Sequence, residues 1–306
     1  MDTRTKETDS PFLTVRELSE MLHVNQKKIY QLAGDGEIPG TKITGKWIFP
    51  RALIEDWIVE NSHGGVMNDR LLLAGSDDQL VHRICNIAAI ELQKSALLSY
   101  SPCGNRHGLQ MLDLKRIDAC FINWGASEAN SRRHLGLLRN YHQHPDWVVV
   151  RVLKRRQGLI VRHGIVDNDT TAEALLKNPR LNWALRQDDS GAFRLLVDVC
   201  HQYGLDYQQL QANTVYNSER SAVAAVSTGY SDITSGVECS AAEYKLDFIP
   251  LADISIDLVT SKRTYFRTLL QEFLNRLRGG EAKAIADSLK GYRINESQDV
   301  LSLDIP

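Results

Sequence analysis

The chain reads as an α/β protein preceded by a small helix-turn-helix and β-hairpin module. Three observations predict this. Residues 12–57 carry two short helical stripes, two short β-prone runs and a third helical stripe. From residue 71 onward, short apolar runs ending in glycine or small polar residues alternate with helical stripes, the pattern of a mainly parallel sheet covered by helices. Between the two regions lies Asn61-Ser62-His63-Gly64-Gly65, a polar, glycine-bearing linker.

In the module, Thr14 is placed to cap a first helix, and Glu17, three residues on, to close a capping box. Val15, Leu18, Met21 and Leu22 form that helix's apolar stripe. His23 and Val24 turn the chain, and Asn25 is a good cap for a second helix. There Ile29 and Leu32 point inward while Gln26, Lys27, Lys28, Tyr30 and Gln31 face out. Gly34, Gly36 and Pro39 end the helix. Thr41–Ile43 and Lys46–Phe49, joined by Thr44-Gly45, then make a hairpin bearing Lys42 and Lys46. Pro50 opens a third helix, whose Leu53, Ile54, Trp57 and Ile58 are expected to close the core.

The stretch FLTVRELSEMLHVNQKKIYQLAGDGEIPGTKITGKWIFPRALIEDW resembles the excisionase-type, MerR-like winged helix-turn-helix family nearly throughout. In that family the second helix reads DNA and the wing grips the backbone. The resemblance therefore implies DNA contacts by Gln26, Lys27, Lys28, Tyr30, Gln31, Lys42 and Lys46; a plain solvated helix face is the alternative reading of these charges.

At 306 residues the chain suits two or three units. Its net charge of −2 offers no global attraction to phosphate, so DNA affinity must come from local Lys and Arg, doubled by dimerisation. The amino terminus lacks the apolar core of a signal peptide and no run is long and apolar enough to span a bilayer, so a cytoplasmic protein without membrane contact is expected. Cys85, Cys103, Cys120, Cys200 and Cys239 are odd in number with no C-x-x-C pair, which argues against a disulfide framework or a zinc site.

After the linker, Leu71–Ala74 reads as a strand, Gly75-Ser76-Asp77-Asp78 as a tight loop, and Leu80, Ile84, Ile87 and Ala88 as a helical stripe. The unit recurs with Leu97–Tyr100, the loop from Ser101 to Asn105, a helix at Leu109–Leu114 and a strand at Ala119–Asn123. Trp147–Leu153 and Gly158–Val161 are read as two strands bracketing Lys154-Arg155-Arg156. A second lobe follows: a strand at Trp183–Leu185, the loop Arg186–Gly191, a helix from Ala192, a helix at Ala222–Val226 and a strand at Asp232–Thr234. Two further strands, Phe248–Leu251 and Ile256–Val259, return to the first lobe. Phe266, Leu269, Leu270, Phe273, Leu274 and Leu277 mark an amphipathic helix.

LAGSDDQL, YSPCGNRHGLQML, KRRQGLIV, RQDDSGAFRLLVD and SAVAAVSTGYSDITSGVECSAAEYKLDFIPL resemble, in order and spacing, the periplasmic-binding-protein-like domain that some bacterial regulators carry behind such a winged helix. Relatives are type 2, two-lobed clamshells similar to molybdate-binding proteins, with the ligand between the lobes. The implied organisation is a disordered amino terminus (1–11), a winged helix (12–60), a linker (61–67) and a sensing domain (68–306). Lobe I would span about 68–162 and 245–306, and lobe II about 163–244.

Several strand-to-helix loops share one plan, small polar residues at a helix start, where free N–H groups and the dipole favour an anion. This makes Ser76, Ser101, Cys103, Asn105, Ser190 and Gly191 candidate ligand contacts, with Arg156 from the basic run and the hydroxyls of Tyr216 and Ser218 as further donors. The chain departs from the family where it matters. A glycine-rich G-S-G-T-R becomes Asp189-Ser190-Gly191-Ala192-Phe193, and a Thr-His pair of relatives is here Ser218 and Arg220. Asp77, Asp78, Asp188 and Asp189 either cap their helices or face the cleft, where they would repel a bare oxyanion and favour a ligand with an amine or hydroxyls. Trp124 and Trp183 either line an organic-ligand pocket or pack as core.

No G-x-S-x-G, P-loop or H-E-x-x-H motif is present, and His142 and His144 lack the further spacing of a metal site. The expectation is a one-component transcriptional regulator that is not an enzyme and needs no cofactor. It would act as a homodimer on double-stranded DNA, responding to a small effector, either an oxyanion such as molybdate or tungstate or a small organic molecule. An architectural, excisionase-like factor and an enzyme fused to a DNA-targeting module are the rival readings.

Overall fold

The computed structural model describes residues 10–61, 69–93, 95–123, 136–294 and 300–302. Two compact units divide the chain, Met1–Asp69 and Arg70–Pro306.

The first unit runs β1 (Phe12–Thr14), α1 (Val15–Leu22), α2 (Gln26–Gly34), β2 (Thr41–Ile43), β3 (Lys46–Pro50) and α3 (Arg51–Asn61). Its sheet has the order β1-β3-β2, so the hairpin gains a third strand that the sequence pattern does not announce. Thr14 and Glu17 form the capping box reciprocally: Thr14 N–H donates to Glu17 Oε2 at 2.7 Å, and Glu17 N–H to Thr14 Oγ1 at 3.3 Å. The bond from Thr14 N–H, joined by one from Thr14 Oγ1 to Glu17 Oε2 at 2.8 Å, holds the Glu17 carboxyl below its ordinary range. His23 ends α1 in the left-handed region, and Asn25 Oδ1 accepts from Lys28 N–H at 2.8 Å to start α2. Thr44 and Gly45 both have positive φ, the conformation that matches a two-residue hairpin loop to strand twist.

Leu18, Ile29, Phe49 and Ile54 are fully buried in this unit, each contributing about 1.5–3 kcal/mol. Leu53, in contrast, is 51% exposed. The inward face of α3 follows Ile54, Trp57 and Ile58, and Leu53 lies one position off that stripe.

The second unit continues with β4 (Asp69–Gly75), α4 (Gln79–Leu92), β5 (Ala96–Pro102), α5 (Asn105–Asp113), β6 (Ala119–Ile122), β7 (Trp147–Val161), α6 (Ala172–Leu176), β8 (Trp183–Arg186), α7 (Gly191–Gln202), β9 (Ala212–Tyr216) and α8 (Glu219–Ser227). It ends with β10 (Ile233–Val237), α9 (Glu238–Glu243), β11 (Asp247–Ser261), α10 (Lys262–Tyr265), α11 (Thr268–Arg276), α12 (Gly280–Ser288), β12 (Tyr292–Ile294) and β13 (Val300–Ser302). The strands follow the order β5-β4-β6-β11-β7-β10-β8-β9, with β12 and β13 also on β7.

Parallel pairing is confined to the flanks, β4 with β6 and β8 with β9 and β10. The centre is antiparallel, which corrects the mainly parallel sheet expected. The cause is that β7 and β11 are single strands of 15 residues each, where the sequence shows two short runs apiece. Lys154-Arg155-Arg156 interrupts the apolar pattern without interrupting the strand, because the paired backbone of β7 continues opposite Ser255, Ile254 and Asp253.

These two strands join the lobes. Val148, Val150 and Val152 of β7 enter one core with Leu71, Leu80, Phe121 and Phe273, while Leu159 and Val161 of the same strand enter another with Trp183, Leu196 and Ile233. Trp183 is therefore core. Register shifts in β11 at Pro250/Ala252 and Ile256/Asp257 put local bends into the connection. The stripe of α11 packs as expected, except that Phe266 lies before the helix and is 74% exposed.

Candidate functional site

In the first unit, Gln26, Lys27, Lys28, Tyr30 and Gln31 are all exposed along α2, and Lys42 and Lys46 are exposed on the hairpin strands. Ile29 and Ala33 hold the opposite face of α2 in the core. The seven side chains are thus available to a partner without any rearrangement of the fold.

In the second unit the lobes meet around a small cavity. Lobe I supplies Ser76, Asp77, Pro102, Gly104, Asn105 and Asn123; the connecting strand β7 supplies Arg155; lobe II supplies Arg186, Gln187, Ser190, Gly191, Ala192, Asn217 and Glu219. The free space is about 20 Å³, room for on the order of one water molecule. The cleft is closed, and two glycines allow it. A Cβ on Gly191 would stand 2.3 Å from the Asn123 side chain, and one on Gly104, which has φ +87°, 2.6 Å from Asp189 Oδ2. Both approaches cross from one lobe to the other.

Asn105 fixes Asn123 by donating from its amide to the Asn123 carbonyl at 2.5 Å and accepting Asn123 N–H at 3.2 Å. Arg155 is buried, and its Nη1 donates to the Asp77 carbonyl and to Asp78 Oδ2, each at 2.9 Å. Among the described residues Arg186 donates to main chain alone, to the carbonyls of Tyr216 at 3.2 Å and Asn217 at 3.4 Å; burial pulls its pKa down, against the charges of Glu219 and Asp77. Glu219 Oε1 accepts from Val237 N–H at 3.2 Å and Ser240 Oγ at 2.6 Å. Burial, reinforced by Glu219, raises the Asp77 carboxyl.

The candidate ligand contacts divide. Ser76, Asn105, Ser190 and Gly191 bound the cavity, and Asp189 stands beside it at Gly104. Others have different work. Asp78 caps α4 through Val81 N–H and accepts from Arg155 and from Tyr292 Oη at 3.1 Å, so its carboxylate is turned away from the cleft. Arg156 pairs with Glu238 at 3.1 Å and Asp253 at 3.7 Å. Ser218 caps α8, Arg220 lies exposed beside Tyr244 and Glu243, and Tyr216 reaches the site through its carbonyl. Ser101 and Asp188 are exposed outside the cavity wall. Cys103 is half-buried, its thiol pushed up by burial, the opposite of an activated cysteine. Trp124 lies outside the described residues.

Sequence reasoning did not single out Arg155, Arg186, Gln187, Asn123, Asn217 or Glu219. The one available signal was a charged residue at the end of an apolar run, as with Arg186 after Trp183–Leu185; charge alone does not separate these from solvated neighbours. Among the described residues no helix is long and apolar enough to cross a membrane, and no group of His, Cys, Asp and Glu could hold a metal ion. Ser190 Oγ accepts from Phe193 N–H at 3.1 Å as the cap of α7, a structural use.

A helix-turn-helix domain profile matches residues 12–62 and a PBP superfamily domain profile residues 88–278. No curated protein matches. Solved structures with a similar fold include the effector-binding domain of QuiR in complex with shikimate, 16% identical over 71% of this chain and 96% of that one, with a TM-score of 0.50. The tungstate ABC transporter from Geobacter sulfurreducens is 13% identical over 72% and 98%, TM-score 0.53, and an H2O2-bound OxyR mutant from Corynebacterium glutamicum 15% identical over 90% of each chain, TM-score 0.54. With a helix-turn-helix domain in front and a closed two-lobed unit behind, whose profile match spans more than half its length, this chain belongs to the PBP superfamily domain family.

Proposed function

We propose that this chain is a ligand-responsive transcriptional regulator, in which a small molecule held between the two lobes changes promoter binding by the winged helix. The observation that carries the reading is a cavity walled by charged groups from both lobes, with Arg155, Arg186 and Glu219 buried and Asp77 half-buried, on the same chain as a helix that exposes five polar or cationic side chains. Gln26, Lys27, Lys28, Tyr30 and Gln31 would enter the major groove, and Lys42 and Lys46 the backbone. A homodimer on a two-fold operator would supply the affinity that one small module on a chain of net charge −2 lacks. The fold shared with shikimate-bound QuiR offers a frame for a small organic effector.

The test uses a duplex selected by the full chain from a random pool. Lys28→Ala with Lys46→Ala is expected to weaken binding and to reduce the salt slope by about one unit per lost phosphate contact. Unchanged affinity and slope would overturn the assignment. A cleft ligand must shift DNA affinity by the same factor by which DNA shifts its own.

A further inference from the structure

The charges around the cavity are not equally used. Arg155 is met by Asp78 at 2.9 Å, so this pair adds no net charge to the cleft. Three charged groups then remain in the wall. Arg186 is held by two carbonyls and by no carboxylate at ion-pair distance among the described residues. Asp77 offers a carboxylate that accepts no hydrogen bond from the described residues, its main-chain carbonyl alone being engaged. Glu219 uses Oε1 and has no described partner for its other oxygen. Three polar atoms of the wall also lack partners: Asn123 Oδ1, Arg155 Nε and Gln187 Oε1 are buried with no hydrogen bond among the described residues, and the Asn123 and Arg155 residues are more than nine-tenths buried. Unmet polar atoms in a closed site cost free energy unless something fills them.

A bare oxyanion does not fit this wall. One guanidinium would attract it while two carboxylates in the same enclosed space repel it, and interactions between charges strengthen as water is excluded. A plain amine meets the reverse difficulty at Arg186. A molecule carrying both charges satisfies both sets. We propose that the effector is a small zwitterion of the amino-acid type, admitted when the lobes part beyond the one-water space of about 20 Å³ that they enclose here, its ammonium set between Asp77 of lobe I and Glu219 of lobe II and its carboxylate against Arg186.

This rests on the regulator reading for its role as effector, and it also supplies a cause for closure. Asp77 and Glu219 carry like charge from opposite lobes and repel one another. An ammonium between them converts that repulsion into a bridge, so the ligand has the differential interaction with open and closed states that a population shift requires.

The experiment is calorimetric titration of the full chain with the proteinogenic amino acids, β-alanine and γ-aminobutyrate, and with molybdate, tungstate and phosphate. At least one amino acid is expected to bind more tightly than every inorganic anion. For that amino acid, the des-amino acid and the decarboxylated amine should each bind at least about tenfold more weakly, the loss typical of a charged hydrogen bond. Asp77→Asn should weaken the amino acid by a similar factor while its melting temperature stays at or above wild type, since the carboxylate it replaces caps nothing. The ligand-analogue arm uses wild-type protein and stands whatever the variant does. Binding of no amino acid, tighter binding of an inorganic anion, or an Asp77→Asn affinity equal to wild type would each overturn the proposal. The DNA titration separates it from the broader reading. An inorganic anion that alters DNA affinity would leave the regulator standing and remove the zwitterion; a bound amino acid that leaves DNA affinity unchanged would do the reverse.

Discussion

The DNA-facing module and the cleft use charge in opposite ways. On α2 the candidate contacts are exposed and the fold does not depend on them. In the cleft the charged groups are buried, and several are structural before they are functional: Arg155 and Asp78 tie β7 to the start of α4, and Glu219 holds β10 and α9 through Val237 and Ser240. A surface charge can therefore be changed at little cost to stability, whereas a cleft charge is coupled to the packing of both lobes. A substitution that separates binding from stability is easy to find in the first region and requires, in the second, a side chain that makes no hydrogen bond among the described residues, such as the Asp77 carboxylate.

The largest expected effect breaks that comparison at its strongest point. Asp78→Ala removes a helix cap and leaves the buried Arg155 guanidinium without its carboxylate, for which about 3–5 kcal/mol of destabilisation is expected. Lys28→Ala, at an exposed position, should stay within about 0.5 kcal/mol of wild type. Urea unfolding of the two variants measures the contrast, and equal midpoints would abolish it.

A smaller effect tests closure. Gly191→Ala would drive a Cβ to 2.3 Å from Asn123 across the cleft, an overpacking worth about 1–3 kcal/mol if the lobes stay shut. The lobes are expected to relieve it by opening, seen as a larger radius of gyration in small-angle scattering and weaker binding of any cleft ligand. Gly34→Ala, at the end of α2 with nothing within 4 Å of the new Cβ, should be neutral or stabilising by about 0.4–1 kcal/mol. An unchanged radius of gyration together with unchanged ligand affinity in Gly191→Ala would show that the close approach does not govern closure.

The smallest effects have opposite sign in the two regions. Glu17 is held below its ordinary 4.5, chiefly by Thr14 N–H, so its contribution to stability is present above pH 4.5 and is lost as pH falls through the lowered folded value. Asp77 is raised above its ordinary 3.8, chiefly by burial and then by Glu219. Its contribution is therefore present below pH 3.8 and is lost as pH rises through the raised folded value. Relative to wild type, Asp77→Asn should gain stability as pH rises across its window, and Glu17→Gln should lose its deficit as pH falls across the other. Urea midpoints followed through amide signals of each unit, in a pH series, check both signs.

How far each region could be read from sequence follows from the same contrast. The capping box, the Asn25 cap, the turn at His23 and the Thr44-Gly45 hairpin are decided within a few residues by steric preference and local hydrogen bonding, and all four are found where the pattern puts them. The alternation of apolar runs likewise suffices for an α/β unit, because burial of one face per element leaves its period in the chain. What only the tertiary structure decided is which charges are buried and what they meet. Arg155 and Asp78 are 77 residues apart, and Tyr292 joins Asp78 across 214. The same run of three basic residues contains a fully enclosed Arg155 and a half-exposed Arg156. Nothing local distinguishes them. Burial of a charge depends on desolvation offset by partners that folding brings from elsewhere, and β7 and β11 are single strands for the same reason, since the pairing that carries them through a charged stretch belongs to the assembled sheet.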